Sequence, residues 1–185
     1  MKIQPTLATP RLRLRPFTSE DAPRLQQLAG VRAIADTTVS VPHPYEDGLA
    51  ERWIQEQLET FREDRAVAYA LHLPEAPELI GCISLRDRDP VNLHAEIGVW
   101  IGVEWWGRGF ALEATRALVD FGFRHWGLNR IRAGHFVRNP ASGRILERAG
   151  FRREGVLREH VRKWGVFEDV VLLGRLRRDW VEATG

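Results

Sequence analysis

The loop Gly107-Arg108-Gly109-Phe110-Ala111 connects two segments whose hydrophobic patterns predict different secondary structures. Residues 95–101 alternate between the two faces of a strand, whereas residues 111–126 place apolar side chains at helical spacing. A second strand is predicted at 131–137. A strand, a helix and a strand in this order predict a β-α-β unit whose two strands lie parallel in one sheet.

The remaining segments extend this unit on both sides. Alternating patterns and apolar runs predict five further strands, at 11–15, 67–73, 79–85, 155–162 and 166–176, the last two joined as a hairpin at Trp164-Gly165. Helical spacing and capping residues predict three further helices, at 18–28, 46–61 and 139–149, and leave 30–44 irregular. The sequence therefore predicts a mixed α/β (α+β) fold of about seven strands and about four helices, in a single domain over residues 1–185.

The composition is typical of a globular chain. Of its 185 residues, 44% are hydrophobic and 28% are charged, which excludes a disordered or collagen-like chain. No apolar run approaches the ~18–20 residues of a membrane span, and residues 1–5 lack the apolar core of a secretory signal. Cys82, the single cysteine, lies in an apolar run and is predicted to be a small buried residue. We expect a cytoplasmic protein with no membrane segment and no metal.

The charges are balanced and interleaved. Lys and Arg number 27 against 25 Asp and Glu, and only Lys2 and Lys163 are lysines. Basic and acidic residues alternate, as in Arg152-Arg153-Glu154, which indicates a mixed solvated surface. A nucleic-acid-binding protein usually shows a basic block or stripe, so the pattern argues against that class.

The two glycines of the 107–111 loop suit the binding of a bulky anion. Glycine lets the backbone turn tightly and approach a ligand closely, and the following helix offers unpaired N–H groups at its positive end. A pyrophosphate fits this description, although an ordinary turn and helix cap would read the same way. No Lys-Ser/Thr pair follows, so the loop is not a P-loop, and the element order disfavours a dinucleotide fold.

A second polar stretch follows the strand predicted at 131–137. Asn139 is predicted to cap a helix whose first turn contains Pro140, and Gly150 is predicted to end it. Capping explains the shape of this stretch. It does not explain why Asn139 and Ser142 follow directly on a strand end, where ligands often bind in open sheets.

Together, the two stretches resemble the GNAT superfamily of acyl-CoA N-acyltransferases. Residues 107–111 match its glycine loop, Glu113 matches a glutamate common in the next helix, and Asn139, Ser142 and Gly150-Phe151 match its second CoA motif. The ends of the chain, from Thr9 to Trp180, are similar to the Rim-type branch of ribosomal-protein N-terminal acetyltransferases. The resemblance implies a GNAT-type, mostly antiparallel sheet that is splayed at strand 95–101. It also allows a homodimer.

The resemblance further implies acetyl-CoA as co-substrate and a set of residues that would bind it. These are Val99, Trp100, Ile101, Gly107, Arg108, Gly109, Phe110, Ala111, Leu112, Asn139 and Ser142. A backbone N–H near 99–101 would donate to the carbonyl oxygen of the thioester. Two departures stand out: Trp106 occupies a position that is usually basic or Gln, and Leu146 stands where many members carry a tyrosine general acid.

Glu96 and Ser142 are the candidate catalytic residues. Amide formation requires a neutral amine, so a carboxylate must take a proton from the ammonium, directly or through water. Glu96 shares one face of its strand with Gly98 and Trp100, and it is either this base, an anchor for the amine, or one half of a salt bridge with an arginine. By resemblance, Ser142 lies near the thiol in place of the missing tyrosine. The alternative is that Ser142 only caps its helix.

The acceptor side carries no specific motif. His43 and Tyr45 lie where the resembling family admits acceptors and could line that pocket, but His43-Pro44 is also a plain turn. We expect an acetyl-CoA-dependent N-acetyltransferase that acts on a primary amine, a protein N-terminus or a small molecule, by direct transfer in a ternary complex. The alternatives are a CoA-binding module that has lost transfer chemistry and, against the charge pattern, a nucleic-acid binder.

Overall fold

The structure is a computed structural model that describes residues 3–76 and 78–184. Met1, Lys2, Pro77 and Gly185 lie outside the described residues, so the predictions for the extreme N-terminus and for a single domain over 1–185 stay predictions. The described strands are β1 (Leu7–Ala8), β2 (Arg13–Pro16), β3 (Val67–His72), β4 (Leu79–Asp89), β5 (His94–Ile101), β6 (Arg130–Phe136), β7 (Arg152–Lys163) and β8 (Val166–Leu176). The described α-helices are α1 (Ala22–Ala29), α2 (Arg32–Thr37), α3 (Leu49–Arg62), α4 (Phe110–Arg124), α5 (Pro140–Arg148) and α6 (Arg177–Thr184).

The described strands form one sheet in the order β1-β2-β3-β4-β5-β6-β8-β7. Neighbours are antiparallel except β5 and β6, which are parallel and are linked by α4. This confirms the predicted β-α-β unit and the mixed, mostly antiparallel sheet. None of the helices in the described residues combines the length and the apolar character that a membrane crossing needs.

Two hydrophobic clusters cover the two faces of the sheet. On one face α4 packs Ala114, Leu118 and Phe121 against the central strands, as the predicted helical stripe requires. On the other face α1 and α3 pack on β3 and β4, and Cys82 lies in this cluster as a buried free thiol. The prediction for Cys82 is therefore confirmed.

The structure corrects several element predictions. The segment predicted as irregular contains α2, whose six residues are too few to show a helical period but bury Ile34 and Ala35. The short strand β1 and the terminal helix α6 were not predicted, which raises the described counts to eight strands and six helices. The strand predicted at 79–85 does not end at residue 85. The strand runs on to Asp89, whose carboxylate accepts the N–H groups of Val91 and Asn92 in the turn.

The parallel pairing between β5 and β6 is short. Only His94, Ala95 and Glu96 pair with β6, and the strands then separate. On its other side β5 stays paired with β4, and Gly102 N–H donates to Ile80 O at 2.8 Å. Because successive N–H groups of a strand point to opposite sides, the N–H groups of Val99 and Ile101 point into the gap. This gap is the splay that the resemblance implies at this strand.

Candidate functional site

A cavity of about 1180 Å³ lies between the end of β5, the 106–109 loop and the starts of α4 and α5. Gly107 and Gly109 have φ of +74° and +82°, a left-handed conformation that glycine adopts without strain. Apart from Gly107 itself and its two chain neighbours, no residue has an atom within 4 Å of a Cβ placed on Gly107, so this Cβ would point into open space. The predicted glycine loop therefore forms, and it lines this first cavity.

The start of α4 supplies hydrogen-bond donors to the first cavity. The first bond within this helix runs from Glu113 N–H to Gly109 O at 3.1 Å. The N–H groups of Phe110, Ala111 and Leu112 precede that bond, and all three residues line the cavity. Unpaired amides at the positive end of a helix bind anions. Arg108 does not line the cavity, and its carbonyl accepts a hydrogen bond from Arg11 at 2.9 Å.

An ion-pair network braces this loop against the N-terminal segment. The Glu113 carboxylate accepts the Thr9 hydroxyl at 2.6 Å, and the Arg11 N–H and Nε at 2.8 and 2.7 Å. Burial alone would raise the pKa of Glu113, but these hydrogen bonds and the Arg11 charge outweigh it and hold the pKa below its ordinary value. The Arg11 guanidinium also lies over the Phe110 ring, 5.0 Å from its centroid.

The arginines that line the first cavity were not predicted from the sequence. Four arginines line it from three separate segments: Arg11, Arg116, Arg144 and Arg148. Their charges are favourable for a polyanionic ligand. In a chain this rich in arginine, no local signal distinguishes these four from the others, although the spacing of Arg144 and Arg148 places them on one face of α5.

A second cavity, of about 680 Å³, lies on the other side of the gap. Segment 38–42, α3 and the separating ends of β5 and β6 line it. The two cavities share five lining residues, Thr37, Thr38, Val99, Trp100 and Ser142. They therefore meet at the splay between β5 and β6.

Asn139 and Ser142 lie at this meeting point. The Asn139 side chain accepts the Ser142 N–H at 3.3 Å and caps α5, and its amide donates to Thr37 O at 3.4 Å. The cap is thus formed by Asn139 and not by the Ser142 hydroxyl. Within the described residues, that hydroxyl has no hydrogen-bond partner, and Ser142 lines both cavities. The next residue is Gly143. A side chain at this position would crowd His135, because its Cβ would lie 2.7 Å from His135 Nε2.

Glu96 lies next to the splay but lines neither cavity. Its carboxylate pairs with the Arg86 guanidinium and with Arg132 Nε, the latter at 3.2 Å. The salt bridge considered from the sequence therefore forms, and it has two arginine partners. The role of Glu96 as a base stays a prediction.

The structure separates the two candidate acceptor residues. Tyr45 lines the second cavity, and burial raises the pKa of its hydroxyl to about 12, so the group stays protonated at neutral pH. His43 does not line that cavity; its ring lies edge-on to Trp164, with 6.4 Å between centroids.

Comparison with known proteins identifies the family. A family model described as an acetyltransferase (GNAT) domain matches residues 11–152. The chain belongs to the GNAT acetyltransferases. It is 34% identical over 176 residues to an uncharacterized N-acetyltransferase, p20, of Bacillus licheniformis, covering 95% of this chain and 98% of that one.

Other GNAT relatives have named substrates. The chain is 30% identical over 123 residues to the ribosomal protein uS5-alanine N-acetyltransferase of Escherichia coli, covering 66% of this chain and 63% of that one. A solved ribosomal alpha-N-protein acetyltransferase, RimL, in complex with coenzyme A superposes with a TM-score of 0.84 at 22% identity, covering 91% and 95% of the two chains. That likeness shows the shared fold. A solved probable acetyltransferase superposes with a TM-score of 0.83 at 28% identity, covering 95% and 98%.

Proposed function

We propose that this GNAT enzyme transfers the acetyl group of acetyl-CoA to a primary amine, with a protein N-terminus as the acceptor. One observation carries the proposal: two cavities of different character meet at the gap between β5 and β6. Direct transfer in a ternary complex needs two bound substrates whose reacting atoms lie in line. The named ribosomal-protein acetyltransferases among the relatives favour an N-terminal acceptor.

The first cavity fits acetyl-CoA. Its amides at 110–112 and its four arginines are suited to a pyrophosphate and a further phosphate, and the Gly107 backbone leaves space for them. Acetyl-CoA supplies the acetyl group as a thioester. The proposed binding set is that expected from the sequence with the four lining arginines added, except that Arg108 holds Arg11 through its carbonyl and does not line the cavity.

The residues at the meeting point have distinct proposed roles. The Val99 N–H, which points into the gap, donates to the carbonyl oxygen as negative charge develops there. The amine nitrogen forms a bond to the carbonyl carbon, and the carbon–sulfur bond breaks. The Ser142 hydroxyl donates a hydrogen bond to the leaving sulfur, directly or through water. The second cavity holds the amine, with Tyr45 in its lining.

The proton of the amine leaves toward the second cavity. In the proposal Glu96 accepts it through water, because the carboxylate lies in the strand of the splay but outside the cavity lining. The same carboxylate also forms ion pairs with Arg86 and Arg132, so the role as proton acceptor needs a test of its own. His43 is proposed to act at the acceptor side only through its contact with Trp164.

We also propose that the enzyme acts in the cytoplasm, which is consistent with a single free and buried thiol at Cys82. The homodimer that the resemblance allows stays a prediction.

The acceptor class is tested by free-thiol release from acetyl-CoA. We expect turnover with hexapeptides that begin with alanine or serine, and little with spermidine or with the same peptides blocked at the N-terminus. Gly107→Val should abolish turnover by filling the phosphate cradle. Gly127→Val is the matched control, because Gly127 also has positive φ and open space but lines neither cavity. Turnover of spermidine alone would make the acceptor a small molecule, and no turnover of any amine would favour an inactive CoA-binding module.

Ser142→Ala separates catalysis from capping. Since Asn139 forms the cap, the variant should melt within a few degrees of the wild type and bind acetyl-CoA with unchanged affinity. Turnover should fall about ten- to a hundredfold, or roughly 1.4–2.7 kcal/mol in barrier, because the leaving sulfur loses a donor. A variant that turns over normally would remove Ser142 from the mechanism.

Glu96→Gln tests the proton acceptor through the pH profile of kcat/KM. If Glu96 takes the proton, the rate should fall most at neutral pH and recover in part at high pH, where the free amine is available without a base. Glu154→Gln is the matched control, because Glu154 pairs with Arg130 in the same sheet and lines neither cavity. Equal effects of the two variants at every pH would leave Glu96 as a structural ion-pair residue.

A further inference from the structure

Lys163 is a buried lysine in a chain that otherwise uses arginine. It is one of two lysines among 27 basic residues, and it is 8% exposed at the end of β7. Its ammonium donates to the carbonyl oxygens of Thr38, Val39 and Val41, at 3.0, 3.5 and 2.8 Å. Lysine side chains are rarely buried without partners, and here the partners all belong to one short segment.

The side-chain chemistry explains why this position holds lysine. An ammonium has three N–H donors around one nitrogen, and three carbonyls converge on it here. A guanidinium presents its donors in a planar fork, which matches a carboxylate or phosphate better than three converging carbonyls. Thr38 is also the C-terminal cap residue of α2, where a positive charge is favourable.

The carbonyl groups that accept from Lys163 belong to the wall of the second cavity. Thr38 lines both cavities, and the next four residues, 39–42, line the second one. We call residues 38–42 the acceptor wall. Just before it, Asp36 pairs with Arg138 at 3.2 Å, and Thr37 O accepts the Asn139 amide. These two contacts hold the segment leading into the wall, whereas Lys163 binds the wall itself.

The tip of the β7–β8 hairpin also contacts His43, the residue that follows the wall. Trp164 packs edge-on against His43, and the Arg32 guanidinium lies over its ring at 5.0 Å from the centroid. Burial, and then the charge of Arg138, lower the pKa of Lys163 from its ordinary value, while Asp36 opposes this. The Lys163 ammonium thus joins the hairpin to the wall, and the Trp164 ring contacts the residue next to it.

We propose that Lys163 is a positioning residue whose ammonium holds the acceptor wall in place before the amine binds, and so determines the affinity for the acceptor. The inference rests on the proposed function, because the second cavity is taken as the acceptor site. A wall that is already ordered spares the acceptor the entropy cost of ordering it. Loss of the ammonium should therefore raise the KM for the acceptor and leave kcat nearly unchanged.

The test compares Lys163→Met with Arg162→Met. Methionine keeps an unbranched apolar stem and removes the charge and all three donors. Arg162 is the matched control, since its guanidinium lies over the Phe167 ring, 5.8 Å from the centroid, and within the described residues it forms no hydrogen bond or ion pair with the wall. Hydrogen exchange of the wall amides, which are those of residues 38–41 because Pro42 has no N–H, is measured with coenzyme A present. Initial rates are measured with acetyl-CoA and an alanine-initiated hexapeptide.

We expect Lys163→Met to speed exchange of the wall amides about tenfold and to raise the KM for the peptide about tenfold, since several charge-assisted hydrogen bonds are lost. The values for kcat and for the KM of acetyl-CoA should stay within about twofold, and Arg162→Met should match the wild type in all four quantities. Lys163→Arg keeps the charge but not the geometry. It should show smaller increases in the exchange rate of the wall and in the KM for the peptide. If Lys163→Met does not fold, the same measurements on Lys163→Arg test the proposal.

Unchanged exchange of the wall amides, or faster exchange with an unchanged KM for the peptide, would overturn the proposal. A fall in kcat at unchanged KM would also overturn it, because it would place Lys163 in the chemical step. Failure of the proposed function is a separate result. If the wild type acetylates no peptide, that function is wrong, and the exchange comparison still decides whether Lys163 holds the wall.

Discussion

The short pairing of β5 with β6 is the constraint on which the rest of the site depends. After Glu96 the two strands separate, although each keeps its other neighbour in the sheet. Parallel strands that part leave backbone N–H and C=O groups without strand partners, and such groups are costly unless water or a ligand satisfies them. The gap therefore lies in a sheet held rigid on both sides, with the Val99 N–H pointing into it. Both cavities open onto this gap, one from each side.

The elements around the gap are fixed by long-range polar contacts. Glu113 joins the N-terminal segment to the start of α4, Asn139 joins α5 to α2, and Lys163 joins the hairpin to the segment after α2. Each contact links parts of the chain that are more than 100 residues apart in sequence. The loops that line the cavities contain few buried apolar residues, so these contacts restrict their motion where the hydrophobic core does not.

Local rules explain which features the sequence predicts. Gly107 and Gly109 were recognisable because a left-handed turn before a helix requires glycine. Asn139-Pro140 was recognisable because helix capping has a local sequence signature. The splay itself came only from the family resemblance, since strand alternation does not reveal where pairing stops. Lys163 and α2 gave no signal, because a six-residue helix shows no period and a contact across 125 residues leaves no local pattern. For Glu96, alternation placed the residue correctly, but its pairing with arginines ten and 36 positions away depends on sheet register.

We propose that acetyl transfer takes place in the gap between β5 and β6. A crystal structure of the protein with acetyl-CoA tests it most directly. If transfer takes place there, we expect pyrophosphate oxygens within hydrogen-bond distance of the amides at 107–112, and the thioester carbonyl oxygen about 3 Å from the Val99 nitrogen. We also expect the sulfur beside the Ser142 hydroxyl, with the acetyl group facing the second cavity. A thioester that lies outside the gap, or that faces away from the second cavity, would show that transfer does not take place in this gap.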